Sequence, residues 1–232
     1  MTALTRDRDA TTAVTLLGAG RDLLVRALIP TLGLLALGLI VGRFVVLPLS
    51  AWTGEDQLSV WLQAGRTPAL DNLARTASGI GGVTGNEVIC VLAMALIWVL
   101  SRKWWLAVLP AIALWLHIFV HIMTSTLVAR PRPGVEQLDI GQPTASFPSG
   151  HMGATTAQLL VVALYLCRRV ESLAMRVLIV ATIAGYLLVL AWSRVYLGMH
   201  HPSDVVWGVV NGVACGLIAW LFLRRRPDPA AR

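Results

Sequence analysis

The chain has 232 residues, of which 56% are hydrophobic and only 13% are charged, and its mean hydropathy is +0.72. Soluble domains contain about a quarter charged residues, so this composition excludes an ordinary soluble domain and indicates an integral membrane protein. The formal net charge is +7, from 19 basic and 12 acidic residues, and its meaning depends on where the basic residues lie along the chain.

Six apolar runs are long enough, or nearly so, to span a bilayer, which takes about 20 residues in an α-helix. They cover residues 27–49, 82–100, 104–128, 152–167, 176–193 and 205–223. The first run is too long for the core of a signal peptide, so we expect it to be retained as a helix. The sequence predicts an all-α, polytopic membrane protein, a six-helix bundle forming one domain over residues 1–232. We expect a flexible tail at 1–20 and a basic tail at 224–232.

The basic residues alternate with the predicted spans. Four segments contain 13 of the 19: they precede span one, lie between spans two and three, lie between spans four and five, and follow span six (Arg6, Arg8, Arg21, Arg26, Arg102, Lys103, Arg168, Arg169, Arg176, Arg224, Arg225, Arg226 and Arg232). The positive-inside rule makes that side cytoplasmic. This predicts cytoplasmic termini and extracytoplasmic loops at 50–81, 129–150 and 194–204. Because the basic residues mark topology, nucleic acid is not an expected partner.

The first extracytoplasmic loop contains apolar residues at helical spacing: Leu58, Trp61, Leu62, Leu70 and Leu73. Thr67 followed by Pro68 is typical of a helix N-cap and first turn. We therefore predict two short amphipathic helices in the membrane interface, anchored by Trp52 and Trp61. The alternative is a plain connector.

Polar and sulfur-containing residues within the spans suggest packing roles. His117 and His121 lie one turn apart in span three without a carboxylate in the same span, so we interpret them as interhelical hydrogen-bonding groups rather than metal ligands. Cys90, Cys167 and Cys215 have neither disulfide nor zinc spacing and are interpreted as packing residues.

Two blocks of polar residues lie at the two ends of the predicted extracytoplasmic loop at 129–150. The segment VARPRPG contains Arg130 and Arg132, each held in extended backbone by the following proline. The segment PSGH opens span four with Ser149, Gly150 and His151. A helix start exposes unpaired N–H groups and favours an anion, and a glycine there lets a ligand approach the backbone.

A third block, SRVYLGMHHPSD, contains Arg194, His200 and Asp204. Each block alone has a simple structural explanation, such as a helix cap or a helix stop. The topology, however, places three arginines, two histidines and a carboxylate together at headgroup depth. Arginine binds phosphate in a fork geometry, and a histidine oriented by a carboxylate serves as nucleophile or base. A second histidine can supply a proton, so the set indicates phosphoryl transfer.

These blocks resemble the signature motifs of the type-2 phosphatidic acid phosphatase superfamily: Lys-x6-Arg-Pro, Pro-Ser-Gly-His and Ser-Arg-x5-His-x3-Asp. The second motif matches fully at 148–151 and the third fully at 193–204. The first matches only at Arg132 and the following proline, because Ser125 occupies the lysine position. We expect that Arg130 or another residue replaces the missing phosphate contact, or that the contact is absent.

The resemblance implies a role for each matching residue. His200 attacks phosphorus to give a phosphohistidine, Asp204 orients its imidazole, and His151 protonates the leaving group and then activates water. The phosphoryl oxygens are bound by Arg132, Arg194 and the Ser149–Gly150 backbone, with Arg130 as a further candidate. The resemblance implies neither a metal nor another cofactor.

The predicted function is a membrane lipid phosphatase at the extracytoplasmic interface, with a lipid phosphate and the bilayer as partners. Candidate substrates are a polyprenyl pyrophosphate, ranked first, phosphatidic acid, phosphatidylglycerol phosphate and diacylglycerol pyrophosphate. The alternatives are a lipid phosphotransferase that uses the same phosphohistidine, a non-catalytic lipid transporter or scaffold, and a metal-dependent hydrolase using His200, His201 and Asp204. The sequence leaves the oligomeric state open.

Overall fold

The computed structural model describes residues 21, 23–49, 54–139 and 144–222. The predicted tails and the proposed anchor Trp52 lie outside these residues. The described residues form α1 (Leu24–Leu49), α2 (Asp56–Ala64), α3 (Pro68–Ile80), α4 (Val83–Ser101), α5 (Trp104–Val128), α6 (Gly150–Arg169), α7 (Leu173–Tyr196) and α8 (Pro202–Phe222). None of them is in a β-strand.

Six of these helices, α1 and α4 to α8, are long and apolar enough to cross a membrane. Their ends lie within three residues of the predicted runs. The predicted all-α fold of a multi-pass membrane protein is therefore confirmed. Since the spans alternate in direction, the carboxyl ends of α1, α5 and α7 and the amino ends of α4, α6 and α8 lie together. We call this the motif end, because all three polar blocks are found there.

The short helices α2 and α3 form the predicted pair in the loop between the first two spans. The α3 helix begins as the sequence predicts: Thr67 Oγ1 accepts a hydrogen bond from the backbone N–H of Leu70 at 3.2 Å, and Pro68 is the first helical residue. Ser149 precedes α6 with extended backbone, but its side chain makes no capping hydrogen bond. The alternative explanation of Ser149, a simple side-chain cap, is therefore not supported.

The α6 helix lies at the centre of the bundle, in contact with α4, α5, α7 and α8. In an apolar stretch of 18 residues within α6, 56% of the residues are buried, compared with 6% in the corresponding stretch of α7. Most of α7 is therefore left to contact lipid. Cys90 and Cys215 are buried, Cys167 is partly buried, and all three are unpaired thiols. This agrees with their interpretation as packing residues.

The backbones of α6 and α8 approach closely because glycine lies at the crossing. A Cβ at Gly212 would lie 2.5 Å from Gly153 O, and one at Gly153 would lie 2.0 Å from His117 Cε1. His117 also joins three helices: its Nε2 lies 3.2 Å from Gly150 O, and its Nδ1 lies 3.1 Å from Asn211 Nδ2. The predicted interhelical hydrogen-bonding role of His117 is confirmed, and it links the start of α6 to the middle of α8.

Candidate active site

The three polar blocks are joined by backbone hydrogen bonds at the motif end. Ser146 N–H donates to Arg130 O at 2.9 Å, which links the second block to the first. Ser149 N–H donates to Asp204 O at 3.0 Å, which links the second block to the third. Main-chain bonds of this kind fix relative positions without depending on side-chain rotamers, so the site is built on a preorganised frame.

The His200 ring is buried, and its orientation is set by a backbone carbonyl. Its Nδ1 lies 2.7 Å from Ser146 O. A carbonyl oxygen can only accept, so Nδ1 carries the proton and Nε2 keeps its lone pair. Burial, reinforced by the nearby Arg194 and Arg132, holds the pKa of His200 well below its usual value. The ring is therefore a neutral imidazole with an unprotonated Nε2, the state that a nucleophile needs.

Asp204 does not make the contact that the sequence led us to expect. Its Oδ2 accepts hydrogen bonds from Ser146 Oγ at 2.6 Å and from the His201 backbone at 2.9 Å, and lies 3.1 Å from His201 Nδ1. The prediction that Asp204 orients His200 directly is wrong, because the carboxylate lies in the first turn of α8 and turns back to accept from the backbone N–H of His201, just before the helix. Ser146 links the two residues instead, with its carbonyl on His200 and its hydroxyl on Asp204.

Arg130 is also placed differently from the expected phosphate ligand. Its side chain is 1% exposed and forms ion pairs with Asp204 and with Glu55 Oε2, the latter at 2.5 Å. It also donates to Ser203 Oγ at 2.7 Å. The expectation that Arg130 replaces the missing lysine is not supported, because its guanidinium is held by two protein carboxylates. Ser125 itself is buried and donates to Ala145 O at 3.4 Å.

The sequence did not reveal the acidic partners of this arginine. Glu55 and Asp56 lie at the start of α2, and Asp56 Oδ1 lies 3.1 Å from His201 Nε2. Their only sequence signal was an acidic pair ahead of an amphipathic helix, which is typical of any helix start. We call this group the clamp; it consists of Glu55, Asp56, Arg130, His201 and Asp204.

Arg132 and Arg194 lie near His200 and are anchored by main-chain carbonyls and by the carboxylate of Asp139. Arg132 Nη1 donates to Met199 O at 2.8 Å and Nη2 donates to Thr144 O at 3.2 Å. Burial lowers the pKa of Arg132, while the carboxylates of Asp204 and Asp139 oppose that shift. Main-chain carbonyls therefore hold the Arg132 fork in position.

Arg194 and Ser149 contain buried polar atoms without a partner. Arg194 is 2% exposed, and its Nη1 donates to Ser78 Oγ at 2.5 Å and to Asp139 Oδ2 at 2.8 Å. Its Nε and the hydroxyl of Ser149 make no hydrogen bond within the described residues. A buried polar group without a partner costs about 1–3 kcal/mol, and an anion bound at these two side chains would supply the missing partner. We call Arg132, Ser149 and Arg194 the cradle.

The residues of the PSGH block form the start of α6. Gly150 is the first residue of α6, and a Cβ there would lie 2.8 Å from His121 Nε2, so packing requires the glycine. His151 follows in the first turn, partly exposed. Its ring hydrogen-bonds none of the described residues. Nor do those residues contain three or more His, Cys, Asp or Glu side chains arranged to bind a metal ion.

The three blocks lie in the part of the chain that is similar to known proteins. The family model described as the PAP2 superfamily matches residues 102–228, which contain all three blocks. The chain is 32% identical over 172 residues to decaprenylphosphoryl-5-phosphoribose phosphatase of Mycobacterium tuberculosis, covering 71% of this chain and 88% of that protein. It is 31% identical over 124 residues to phosphatidylglycerophosphatase B of Bacillus subtilis, covering 53% and 59%.

A solved structure has the same fold. The crystal structure of a transmembrane PAP2-type phosphatidylglycerolphosphate phosphatase from Bacillus subtilis superposes with a TM-score of 0.69 at 20% identity. The superposition covers 85% of this chain and 97% of that one. The six-helix arrangement described above is therefore one that a membrane phosphatase uses.

Proposed function

Because the chain belongs to the PAP2 superfamily and is a lipid phosphate hydrolase, we propose that it releases phosphate from a membrane lipid through a phosphohistidine on His200. The observation that carries this mechanism is the hydrogen bond from His200 Nδ1 to Ser146 O, which leaves Nε2 unprotonated. Arg132 and Arg194 lie close enough to influence the charge of the same ring. A nucleophile beside two anchored cations is suited to attack on a phosphoryl group.

The first chemical step forms a nitrogen–phosphorus bond. His200 Nε2 attacks phosphorus, the bond from phosphorus to the leaving oxygen breaks, and protonated His151 gives its proton to that oxygen. The lipid or headgroup alcohol departs and His200 carries the phosphoryl group. The cradle binds the non-bridging oxygens, whose charge is redistributed in the transition state.

The second step reverses the proton transfer. His151, now neutral, takes a proton from water, whose oxygen attacks phosphorus while the bond to His200 Nε2 breaks. Inorganic phosphate leaves, and both histidines return to their starting protonation states. Asp204 acts through Ser146 in this proposal and does not touch the reacting atoms.

The motif end faces the extracytoplasmic side in this proposal. The basic residues between spans two and three and between spans four and five lie at the opposite end of the bundle, which the positive-inside rule assigns to the cytoplasm. The substrate enters laterally and keeps its tail in the bilayer. A polyprenyl-linked phosphate and a glycerolipid phosphate are both candidates, in keeping with the names of the two sequence relatives.

The test is phosphate release from a panel of lipid phosphates by the purified chain in detergent, with His200→Ala as the comparison. We expect wild type to release free phosphate and to yield an acid-labile, base-stable phosphoprotein after rapid quenching with labelled substrate. His200→Ala should yield neither. Labelled protein that persists in His200→Ala would exclude the proposed intermediate. Transfer of label to an added alcohol, without free phosphate, would identify a phosphotransferase instead.

A further inference from the structure

A polar cavity adjoins the cradle at the motif end. Its volume is about 380 Å³, and it is lined by Arg75 of α3 and by Gln137, Leu138 and Asp139 of the loop between α5 and α6. This volume lies at the lower end of the range for small-molecule sites, which is roughly 300–1,000 Å³. Three of the four lining side chains carry the guanidinium, amide and carboxylate groups that hydrogen-bond hydroxyls.

Asp139 belongs to both the cavity and the cradle. Its Oδ2 accepts hydrogen bonds from Arg194 Nη1 at 2.8 Å and from Ser78 Oγ at 2.6 Å. Arg194 is almost completely buried, whereas 25% of the Asp139 side chain is exposed. The carboxylate therefore fixes one edge of the Arg194 fork and still presents a surface to the cavity.

A phosphoryl oxygen bound in the cradle would be a close neighbour of this carboxylate. The unpartnered Nε of Arg194 is on the same planar guanidinium as Nη1, so an oxygen hydrogen-bonded to Nε lies roughly 6–7 Å from Asp139 Oδ2. At that separation a carboxylate repels additional negative charge and attracts hydroxyl donors.

We propose that this cavity is a headgroup subsite and that Asp139 determines specificity within it. The subsite takes the hydroxyl-bearing headgroup of a lipid phosphate monoester, with Asp139 and Gln137 accepting hydrogen bonds from its hydroxyls. A lipid pyrophosphate places a second charged phosphoryl group where the monoester has a neutral alcohol, and Asp139 disfavours it. This inference rests on the proposed function, because it concerns the leaving group of the same reaction.

The test uses three substrates with the same dioleoyl tail, presented to the full chain in mixed detergent micelles. Phosphatidylglycerol phosphate has a phosphate on a hydroxyl-bearing headgroup, phosphatidic acid has no headgroup, and diacylglycerol pyrophosphate has a second phosphoryl group. We expect kcat/KM of wild type to be highest for phosphatidylglycerol phosphate. In Asp139→Asn the ratio of kcat/KM for phosphatidylglycerol phosphate to that for the pyrophosphate should fall about tenfold or more.

Two further variants separate the subsite from its surroundings. The Gln137 side chain makes no hydrogen bond to Arg194 among the described residues. Gln137→Ala should therefore lower kcat/KM for phosphatidylglycerol phosphate while kcat/KM for phosphatidic acid stays within about twofold of wild type. Glu136→Gln removes a neighbouring charge that pairs with Arg66 at the surface and is 70% exposed. It should therefore leave the relative kcat/KM values for the three lipids unchanged.

Several outcomes would overturn the inference. An equal loss on all three lipids in Asp139→Asn would mean that Asp139 only positions Arg194, and an equal gain would mean that it merely blocks the cradle. Unchanged ratios in both Asp139→Asn and Gln137→Ala would exclude a headgroup subsite. None of these results would contradict the proposed function. The proposed function fails separately, if wild type releases no phosphate from any of the lipids.

Discussion

The clamp and the cradle are two charged regions at the motif end, and each takes one arginine from the VARPRPG block. Arg130 and Arg132 are separated by one proline, yet Arg130 lies between two carboxylates whereas Arg132 is held by two carbonyls. In the clamp, positive charge is neutralised within the chain and ties α2 to α8. In the cradle, Arg194 Nε and the Ser149 hydroxyl have no hydrogen-bond partner among the described residues, and neither does Arg130 Nε in the clamp. Spacing in a motif therefore identifies residues of a site without separating those that face substrate from those that face the chain.

The largest expected effect comes from the nucleophile beside the cradle. We expect His200→Ala to lower kcat by at least about 10⁴-fold, because no other described group provides the attacking nitrogen. Phosphate release under saturating substrate measures the loss, and the thermal midpoint of the detergent-solubilised variant shows whether it remains folded. Activity within tenfold of wild type would contradict the assignment of His200 as the nucleophile.

Arg130 in the clamp should affect folding more than any arginine in the cradle. Arg130→Met leaves Asp204 buried without its cation, which typically costs about 3–5 kcal/mol in the free energy of unfolding. Denaturant unfolding in a fixed detergent measures this change. Because Glu55 is the other partner, Glu55→Gln combined with Arg130→Met should be less destabilising than the sum of the two single variants. Strict additivity would show that the pair does not act as a unit.

Arg194 in the cradle should affect activity more than folding. Arg194→Ala removes a donor from the developing phosphoryl charge, so kcat/KM should fall by about 10²–10³-fold. Inhibition by vanadate, an anion that mimics the pentacoordinate phosphoryl group, should weaken in parallel. Arg130→Met provides the control: if it weakened vanadate inhibition as strongly as Arg194→Ala does, the distinction between clamp and cradle would fail.

Ser146 lies between the two regions and should give an intermediate result. Ser146→Ala removes the hydroxyl that donates to Asp204 but keeps the carbonyl that accepts from His200. We expect kcat to fall by roughly tenfold with little change in KM, since the loss of one hydrogen bond to a charged group is modest. A loss as large as that in His200→Ala would indicate that the hydroxyl itself takes part in the reaction.

The smallest effect concerns pH. The pKa of His200 is held well below its ordinary value, so lowering the pH to 6 should leave this ring neutral, although an unperturbed histidine would be mostly protonated there. Histidine-selective ¹⁵N spectra, assigned by difference from His200→Ala, should show the Nδ1–H tautomer at pH 6. A doubly protonated ring at that pH would contradict the state described for the nucleophile.

The sequence predicted those features that depend on local pattern or on long apolar runs. The six spans and the Thr67 cap of α3 are of this kind, because a helix start is determined by a few neighbouring residues. The alternating direction of the spans predicted that the three blocks lie at the same end of the bundle. The partners of Arg130 and Asp204 were not predictable, because Glu55 and Ser146 reach them through loop packing that leaves no periodic signal. Asp139, beside Arg194, was missed for the same reason.

The close approach of α6 and α8 at Gly153 and Gly212 has a consequence for how this protein can diversify. His151 lies in the first turn of one of these helices and His200 precedes the other, so their separation depends on how closely the two helices pack. It also depends on the hydrogen bonds that Ser146 and Ser149 make at the end of the preceding loop. The earlier part of that loop, which carries Gln137 and Asp139, can then change in composition without moving the reacting histidines. Exchanging that part of the loop between relatives should transfer substrate preference while the chemical step stays intact. The helix bundle would then support different substrate specificities with the same catalytic residues.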